Sequence, residues 1–155
     1  MNPEIEKDLK DWVGEVSRKN PRLADFSICP FAKHNSYQIV QTSIHDIQPL
    51  SEEFGVVIFV VEDDVDPNFV RKKCKELNQQ YPKYTFFDDC RDEPSFINGV
   101  QTNNGKYNLI LYQDRRFLRK MREILAKTEY YDQWDYEYLK EILGEDFDLV
   151  ENKYK

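Results

Sequence analysis

The sequence is poor in the residues that mark linkers, disulfide frameworks and metal sites. Its 155 residues include only 5 glycines, 3 cysteines and 2 histidines. No stretch rich in Gly or Ser divides the chain, so we expect a single domain over residues 1–155. Three widely spaced cysteines exclude a disulfide framework and leave at least one thiol free, which favours a reducing compartment. With no CxxC pair, a structural zinc site of the usual spacing is also excluded.

Long apolar runs and an excess of positive charge are absent as well. The longest purely apolar run, Val56–Val61, is far shorter than the roughly 20 residues of a membrane-spanning helix. The N-terminus alternates charged residues where a signal peptide needs an apolar stretch. Acidic residues outnumber basic ones by 29 to 22, which opposes binding to a phosphate backbone. We therefore expect a soluble cytoplasmic protein that binds neither membranes nor nucleic acid.

What the chain does contain is enough apolar material for a core, since 40% of its residues are hydrophobic. Caps and apolar periodicity predict a first helix over about residues 3–19 and further helices after Asp66, Asp114 and Asp132. The predicted strands cover about residues 37–42, 55–61, 84–87 and 108–112.

The order of these elements predicts an α+β fold. We expect a four-stranded mixed sheet covered by helices, either ferredoxin-like or a permuted relative, with a helical C-terminus. The strand, helix and strand of residues 55–87 have the length of a crossover unit, so their strands should run parallel. Cys74 lies on the apolar stripe of that helix and should be buried.

Cys29 is the first candidate site residue, because Pro30 follows it directly. Proline is favoured in the first turn of a helix, so Cys29 would occupy the N-cap, where unpaired N–H groups stabilise a thiolate. Lys33 and His34 would lie within reach of the sulfur as cationic or hydrogen-bonding partners. The alternative is a small buried cysteine packed beside Phe31.

Trp12-Val13 followed by Cys29-Pro30-Phe31-Ala32-Lys33 resembles the N-terminal signature of a family of small uncharacterised bacterial proteins. The resemblance covers about the first 35 residues, and Thr102-Asn103 matches a further step of that family without its neighbouring prolines. It implies a fold grouping and a site around Cys29, and it names no reaction. Cys-Pro-Phe is also similar to the motif of glutaredoxin-like proteins, but the preceding strand and the second cysteine are missing.

Acidic residues follow two of the predicted strands. Asp63 and Asp64 come after the strongest strand, and Asp88 and Asp89 after the next. The ends of parallel strands meet at one edge of a sheet, where carboxylates could hold a divalent cation. The simpler interpretation is that Asp66 caps a helix and the other acids solvate loops.

Opposite charges concentrate in two neighbouring segments near the C-terminus. Arg115, Arg119 and Arg122 share one face of a predicted helix, and residues 129–151 are strongly acidic. We predict that these two segments pair with each other and that the basic face does not bind nucleic acid. Residues 129–138 also contain five aromatic side chains, a composition that suits a surface contacting a protein partner.

Two classes of function follow from these features. As a binding or accessory protein, the molecule would contact a protein partner, or a second copy of itself, through its aromatic and acidic C-terminal helix. As a thiol-dependent enzyme or redox protein, it would use Cys29 with Lys33 or His34, in a cleft bordered by the long loop of residues 90–106. The first class is favoured, because no motif names an enzyme class or a cofactor.

Overall fold

The computed structural model describes residues 2–29, 36–51 and 55–154. Within these residues there are four α-helices: α1 Pro3–Val16, α2 Pro67–Gln80, α3 Arg115–Ala126 and α4 Tyr136–Leu143. The same residues contain six strands: β1 Tyr37–Thr42, β2 Val56–Val61, β3 Tyr84–Asp89, β4 Phe96–Ile97, β5 Val100–Gln101 and β6 Leu109–Asp114. Short 3-10 helices connect several of them, and three follow one another closely around and after α4.

Four of the strands form one mixed sheet in the order β1-β2-β6-β3. β1 is parallel to β2, whereas β6 is antiparallel to both of its neighbours, β2 and β3. β2 and β3 are therefore parallel to each other with β6 between them, which makes β2-α2-β3 a split β-α-β unit. The remaining two strands, β4 and β5, pair as a small separate hairpin.

Helix α2 covers one face of the sheet. Val70, Cys74 and Leu77 recur at helical spacing on α2 and are buried against the sheet. The strands meet them with alternate residues such as Val57 and Phe59 of β2, because successive side chains of a strand point to opposite faces.

The other face of the sheet is covered by α1 and by the C-terminal helices. Leu9 of α1 packs on Ile58 and Val60 of β2. The C-terminal helices form a cluster around Leu139 and Leu143, and α3 carries its Arg122 guanidinium 5.7 Å from the ring centre of Phe87 on β3. We call residues 115–150 the C-terminal unit.

The predicted α+β architecture, mixed sheet and helical C-terminus are confirmed. β2 is a central strand, and its last five residues are buried; Cys74 is 5% exposed. Helix α1 ends at Val16 rather than near residue 19, and α4 begins at Tyr136, not after Asp132, because a 3-10 helix first occupies Tyr130–Gln133. Among the described residues, no helix is long and apolar enough to cross a membrane.

Strand β3 lies at the edge of the sheet, and a side chain from α2 closes that edge at its centre. The Asn78 amide Nδ2 donates to the Phe86 carbonyl at 3.1 Å, and its Oδ1 accepts from the Phe86 N–H at 2.7 Å. Asn78 thus makes the two hydrogen bonds that a further strand would make. Natural sheets protect their edges against pairing with other chains, and Asn78 provides this protection here.

We expect Asn78→Ala to lower the free energy of unfolding by about 1–3 kcal/mol, because it leaves the N–H and C=O of buried Phe86 without partners. Urea unfolding followed by circular dichroism measures the change. Gln79→Ala, one residue further along α2 and exposed, is the matched control and should alter stability by less than about 0.5 kcal/mol. Equal stability of the two variants would contradict this role of Asn78.

Candidate functional site

Two adjoining cavities lie on either side of the Ile28–Cys29 step. The larger, about 510 Å³, lies between α1 and the loop of residues 100–107, and we call it the α1 cleft. The smaller, about 200 Å³, lies between β3 and the C-terminal unit, and we call it the thiol pocket because Cys29 lines it. Ile28 lines both.

The Ile28–Cys29 step is held from both sides. The Cys29 N–H donates to the Val16 carbonyl at 2.8 Å, in the last residue of α1. The Tyr130 hydroxyl donates to the Ile28 carbonyl, and the Tyr130 ring meets Phe26 edge-to-face at 5.5 Å. Residues 26–29 are therefore fixed between α1 and the C-terminal unit.

The thiol pocket is mainly apolar and aromatic. Its walls include Phe87 of β3, Leu118 and Met121 of α3, and Tyr130, Tyr131 and Trp134. Burial raises the pKa of the Tyr130 hydroxyl well above its usual range, and nearby Cys29 adds to the effect. The phenol therefore stays neutral and serves as a hydrogen-bond donor at neutral pH.

Cys29 is half-buried, and its backbone N–H meets the carbonyl end of α1, which carries the negative end of the helix dipole. The sequence predicted that the residues after Cys29 would stabilise its thiolate. Pro30, Lys33 and His34 lie outside the described residues, so the N-cap at Cys29 and its cationic neighbours stay predictions.

The other two thiols are both buried. Burial, helped by the negative charge of Asp88, raises the pKa of Cys74 and of Cys90 to about 12. At neutral pH these two side chains are protonated thiols enclosed by the core, and neither is suited to act as a nucleophile.

The α1 cleft is polar, and a hydrogen bond and an ion pair join its two walls. The Tyr107 hydroxyl donates to the Asp8 carboxylate at 2.6 Å, and Lys106 pairs with the same carboxylate at 3.4 Å. The hydrogen bond from Tyr107 lowers the pKa of Asp8, and it raises the pKa of Tyr107 to about 12. Half-buried Trp12 lines the cleft from α1.

The long loop after β3 is ordered by asparagine side chains. The Asn104 side chain donates to Asp89 at 2.7 Å and to the Tyr107 carbonyl, and its oxygen accepts from the Lys106 and Tyr107 N–H groups. Asn103 and Asn108 make similar bonds to backbone groups on either side. This loop borders the α1 cleft, whereas Cys29 lines the thiol pocket, so among the described residues the structure does not place the loop and Cys29 around one cavity as the sequence predicted.

The four carboxylates predicted as a possible metal site have separate partners. Asp63 accepts the Ile44 N–H at 2.6 Å, which lowers its pKa, and Asp64 pairs with Arg91 at 3.1 Å. Asp88 accepts the Cys90 thiol at 3.8 Å, and Asp89 accepts from Asn104. Among the described residues, no group of three or more His, Cys, Asp or Glu side chains could hold a metal ion.

The predicted pairing of the basic and acidic segments occurs within the chain. Arg119 forks onto Asp148 at 2.8 and 2.9 Å and also meets Asp146 at 2.9 Å. Arg122 reaches Asp146 at 2.9 Å, and Arg115 reaches Glu145 at 3.4 Å. These arginines are therefore neutralised inside the C-terminal unit.

The aromatic segment of residues 129–138 is used largely for packing. Tyr130 and Tyr131 are each 5% exposed, while Trp134 and Tyr138 are half-buried and stack on each other at 5.2 Å. Tyr136, at 40% exposed, is the aromatic residue of this segment that faces solvent. The sequence does not distinguish internal packing from contact with a partner, because both require aromatic side chains.

Asp89 titrates abnormally because it is largely buried. Burial raises its pKa to about 6, while the hydrogen bonds from Asn104 act in the opposite direction. The folded protein thus binds a proton more tightly than the unfolded chain does. The contribution of Asp89 to the free energy of unfolding is therefore fully present below the pKa of the unfolded chain, near 4. It is lost as the pH rises through the folded pKa of about 6.

We expect Asp89→Asn to raise the free energy of unfolding at pH 7–8 by up to about 3 kcal/mol, since it removes a buried charge and keeps an oxygen for Asn104. The gain should vanish near pH 4. Urea unfolding across this pH range tests it, with exposed Asp46→Asn as the control. A gain that is the same at both pH extremes would contradict the assignment to Asp89.

Cys29 should be the first thiol to react in the native protein, because Cys74 and Cys90 are buried and protonated. Brief treatment with iodoacetamide at neutral pH, followed by peptide mass analysis, should find the label on Cys29. Cys29→Ser should leave the native protein unlabelled. Preferential labelling of Cys90, or no labelling before unfolding, would make Cys29 a packing residue.

No protein-family model matches the chain, and searches of curated proteins and of solved structures find no match either. The resemblance of the Trp12 and Cys29 motifs to a bacterial family therefore stays a prediction.

Proposed function

We propose that this protein is a small accessory or binding protein that contacts a protein partner through the exposed acidic face of α4. Asp135, Tyr136, Glu137 and Glu141 are the exposed residues of this face, with exposed Lys140 among them as its one basic residue. It lies on the outside of the C-terminal unit, whose inner side chains pack on the rest of the chain.

The observation that carries this proposal is that some acids of the C-terminal segment are paired with arginines and others are not. The acids just after α4, Glu145, Asp146 and Asp148, are neutralised by arginines of α3. Within the described residues, Glu137 and Glu141 have no ion pair, and they stand one helical turn apart. Aromatic residues are enriched in contact surfaces, and Tyr136 places an exposed aromatic ring beside these acids.

The chemistry of this face selects a basic partner with an apolar group to cover Tyr136. Complementary charge would speed the encounter and exclude acidic competitors. A second copy of the chain also fits, because exposed Arg116 and Lys120 flank exposed Phe117 on α3. Sedimentation velocity separates self-association from binding to another protein.

The test is a charge reversal on α4, Glu137→Lys with Glu141→Lys. Proteins captured from source cells by the immobilised wild-type chain are identified by mass spectrometry, purified and titrated against each variant. The reversal should weaken binding of the authentic partner at least about tenfold, equivalent to about 1.4 kcal/mol. Far-ultraviolet circular dichroism checks that the variant is folded.

Glu62→Lys with Glu76→Lys is the matched control, because it changes the net charge equally at exposed positions outside α4. It should leave the affinity within about twofold. If both reversals weaken binding alike, the attraction is a general effect of net charge, and the α4 face is not the contact.

A thiol-dependent reaction at Cys29 is the second candidate function. The observation that favours it is the contrast between half-buried Cys29, which lines an aromatic pocket, and the two buried thiols. If Cys29 supplies the reacting sulfur, Cys29→Ser should abolish activity and leave binding at α4 unchanged. The two proposals can therefore fail independently.

A further inference from the structure

We propose that the α1 cleft binds a neutral, polyhydroxylated small molecule, a mono- or disaccharide. The site lies apart from the α4 face and does not depend on the function proposed for it. Four features of the cleft support this ligand class: its size, its aromatic wall, its charge balance and the polar groups that are left without partners.

The cleft has the dimensions of a small-molecule site. Its volume is about 510 Å³, within the range of about 300–1,000 Å³ usual for such sites. One wall is α1, which presents side chains spaced three and four residues apart, and the other is the loop held by Asn103 and Asn104. Because that loop is fixed by side-chain hydrogen bonds, the cleft exists before a ligand enters it.

Trp12 supplies an apolar surface on the α1 wall. The indole packs partly against the core beneath β2 and partly lines the cleft. Its Nε1 atom is buried and has no hydrogen-bond partner, so the ring is held by packing and offers the cleft carbon rather than its N–H. The C–H face of a sugar ring matches such a surface, since both are apolar and flat.

The charged side chains that line the cleft balance in number, which argues for a neutral ligand: Asp8, Asp11 and Glu15 are acidic, and Arg18, Lys19 and Lys106 are basic. Asp8, only 18% exposed, is already paired with Lys106 and bonded by Tyr107. Asp11 pairs with Lys7 in an exposed i,i+4 pair. A charged ligand would upset this balance, and burial of an unpaired charge carries a desolvation cost.

The polar groups left over are suited to hydroxyl groups. Gln101 uses its amide Nε2 to reach Asn103 at 3.0 Å, which leaves its carbonyl oxygen as an acceptor, and Asn20 accepts from the Arg22 N–H, which leaves its amide nitrogen as a donor. Within the part of the chain that the structure describes, Glu15 has no ion pair. A hydroxyl group both donates and accepts, so it can satisfy groups of either kind.

Gly105 leaves room for the end of the Gln101 side chain. Its φ is +75°, and a Cβ at this position would lie 2.9 Å from the Gln101 Nε2 atom. A side chain at residue 105 would thus strain the backbone and push Gln101 away. The backbone of the loop and the polar wall of the cleft are adapted to each other.

The experiment uses the full chain with Trp134→Phe, so that Trp12 is the remaining indole. Glucose, galactose, mannose, N-acetylglucosamine, maltose, lactose and cellobiose are titrated up to about 50 mM while Trp12 fluorescence and backbone amide shifts are recorded. At least one sugar should saturate with Kd below about 10 mM. The shifts should concentrate on α1 and the 100–107 loop and should be insensitive to salt.

Three variants separate this proposal from its alternatives. Gln101→Ala should lower the affinity for the sugar at least about fivefold, because it removes a hydrogen-bonding group from the cleft. Tyr136→Ala, a change on the α4 face, should leave this affinity unchanged. Glu4→Gln, at an exposed position of α1 outside the cleft lining, should alter affinity less than about twofold. Lysine and glutamate serve as charged probes.

The proposal is overturned if no sugar in the panel shifts the cleft residues. It is also overturned if a charged probe binds there with strong salt dependence, or if Gln101→Ala leaves the affinity for the sugar unchanged. None of these outcomes bears on the α4 contact, whose test reports on Glu137 and Glu141.

Discussion

The buried ion pair between Arg122 and Asp146 holds the C-terminal unit together. Arg122 is 8% exposed and Asp146 4%, so each would be costly to bury alone. The guanidinium also donates to the Ile142 and Leu143 carbonyls at the end of α4 and lies over Phe87 of the sheet. One side chain thereby joins α3, α4, the following turn and β3. Helix α4 has only eight residues, too few to persist without such contacts.

Both cavities depend on this arrangement. Tyr130 belongs to the C-terminal unit, yet its hydroxyl bonds to Ile28, in the segment that separates the thiol pocket from the α1 cleft. Tyr138 extends the same link, because its hydroxyl interacts with Ser95 and Thr102 beside the β4-β5 hairpin. Displacement of the C-terminal unit would therefore alter the position of Cys29 and the loop wall of the cleft together.

Local patterns predicted most of the elements because caps and apolar periodicity act over a few residues. Asn2, Asp66 and Asp114 each accept an N–H in the first turn of the helix they were expected to begin. The acidic C-terminal segment was expected to pair with α3, and opposite charge blocks made that visible. In contrast, the Asp8–Tyr107 bond joins residues 99 apart, and no local pattern reports it. Asn-Gly steps such as Asn98-Gly99 and Asn104-Gly105 are typical of turns, but the role of the asparagines in ordering the loop depends on backbone groups that the sequence does not place.

The strand order has a consequence for synthesis of the chain. β6 is the last strand of the main sheet along the sequence, yet it lies between β2 and β3. Until residue 114 has left the ribosome, the inner edges of both flanking strands lack their partner. The nascent chain therefore passes through a stage in which a strand from another chain could occupy the vacant place, and rapid docking of β6 is what ends that exposure.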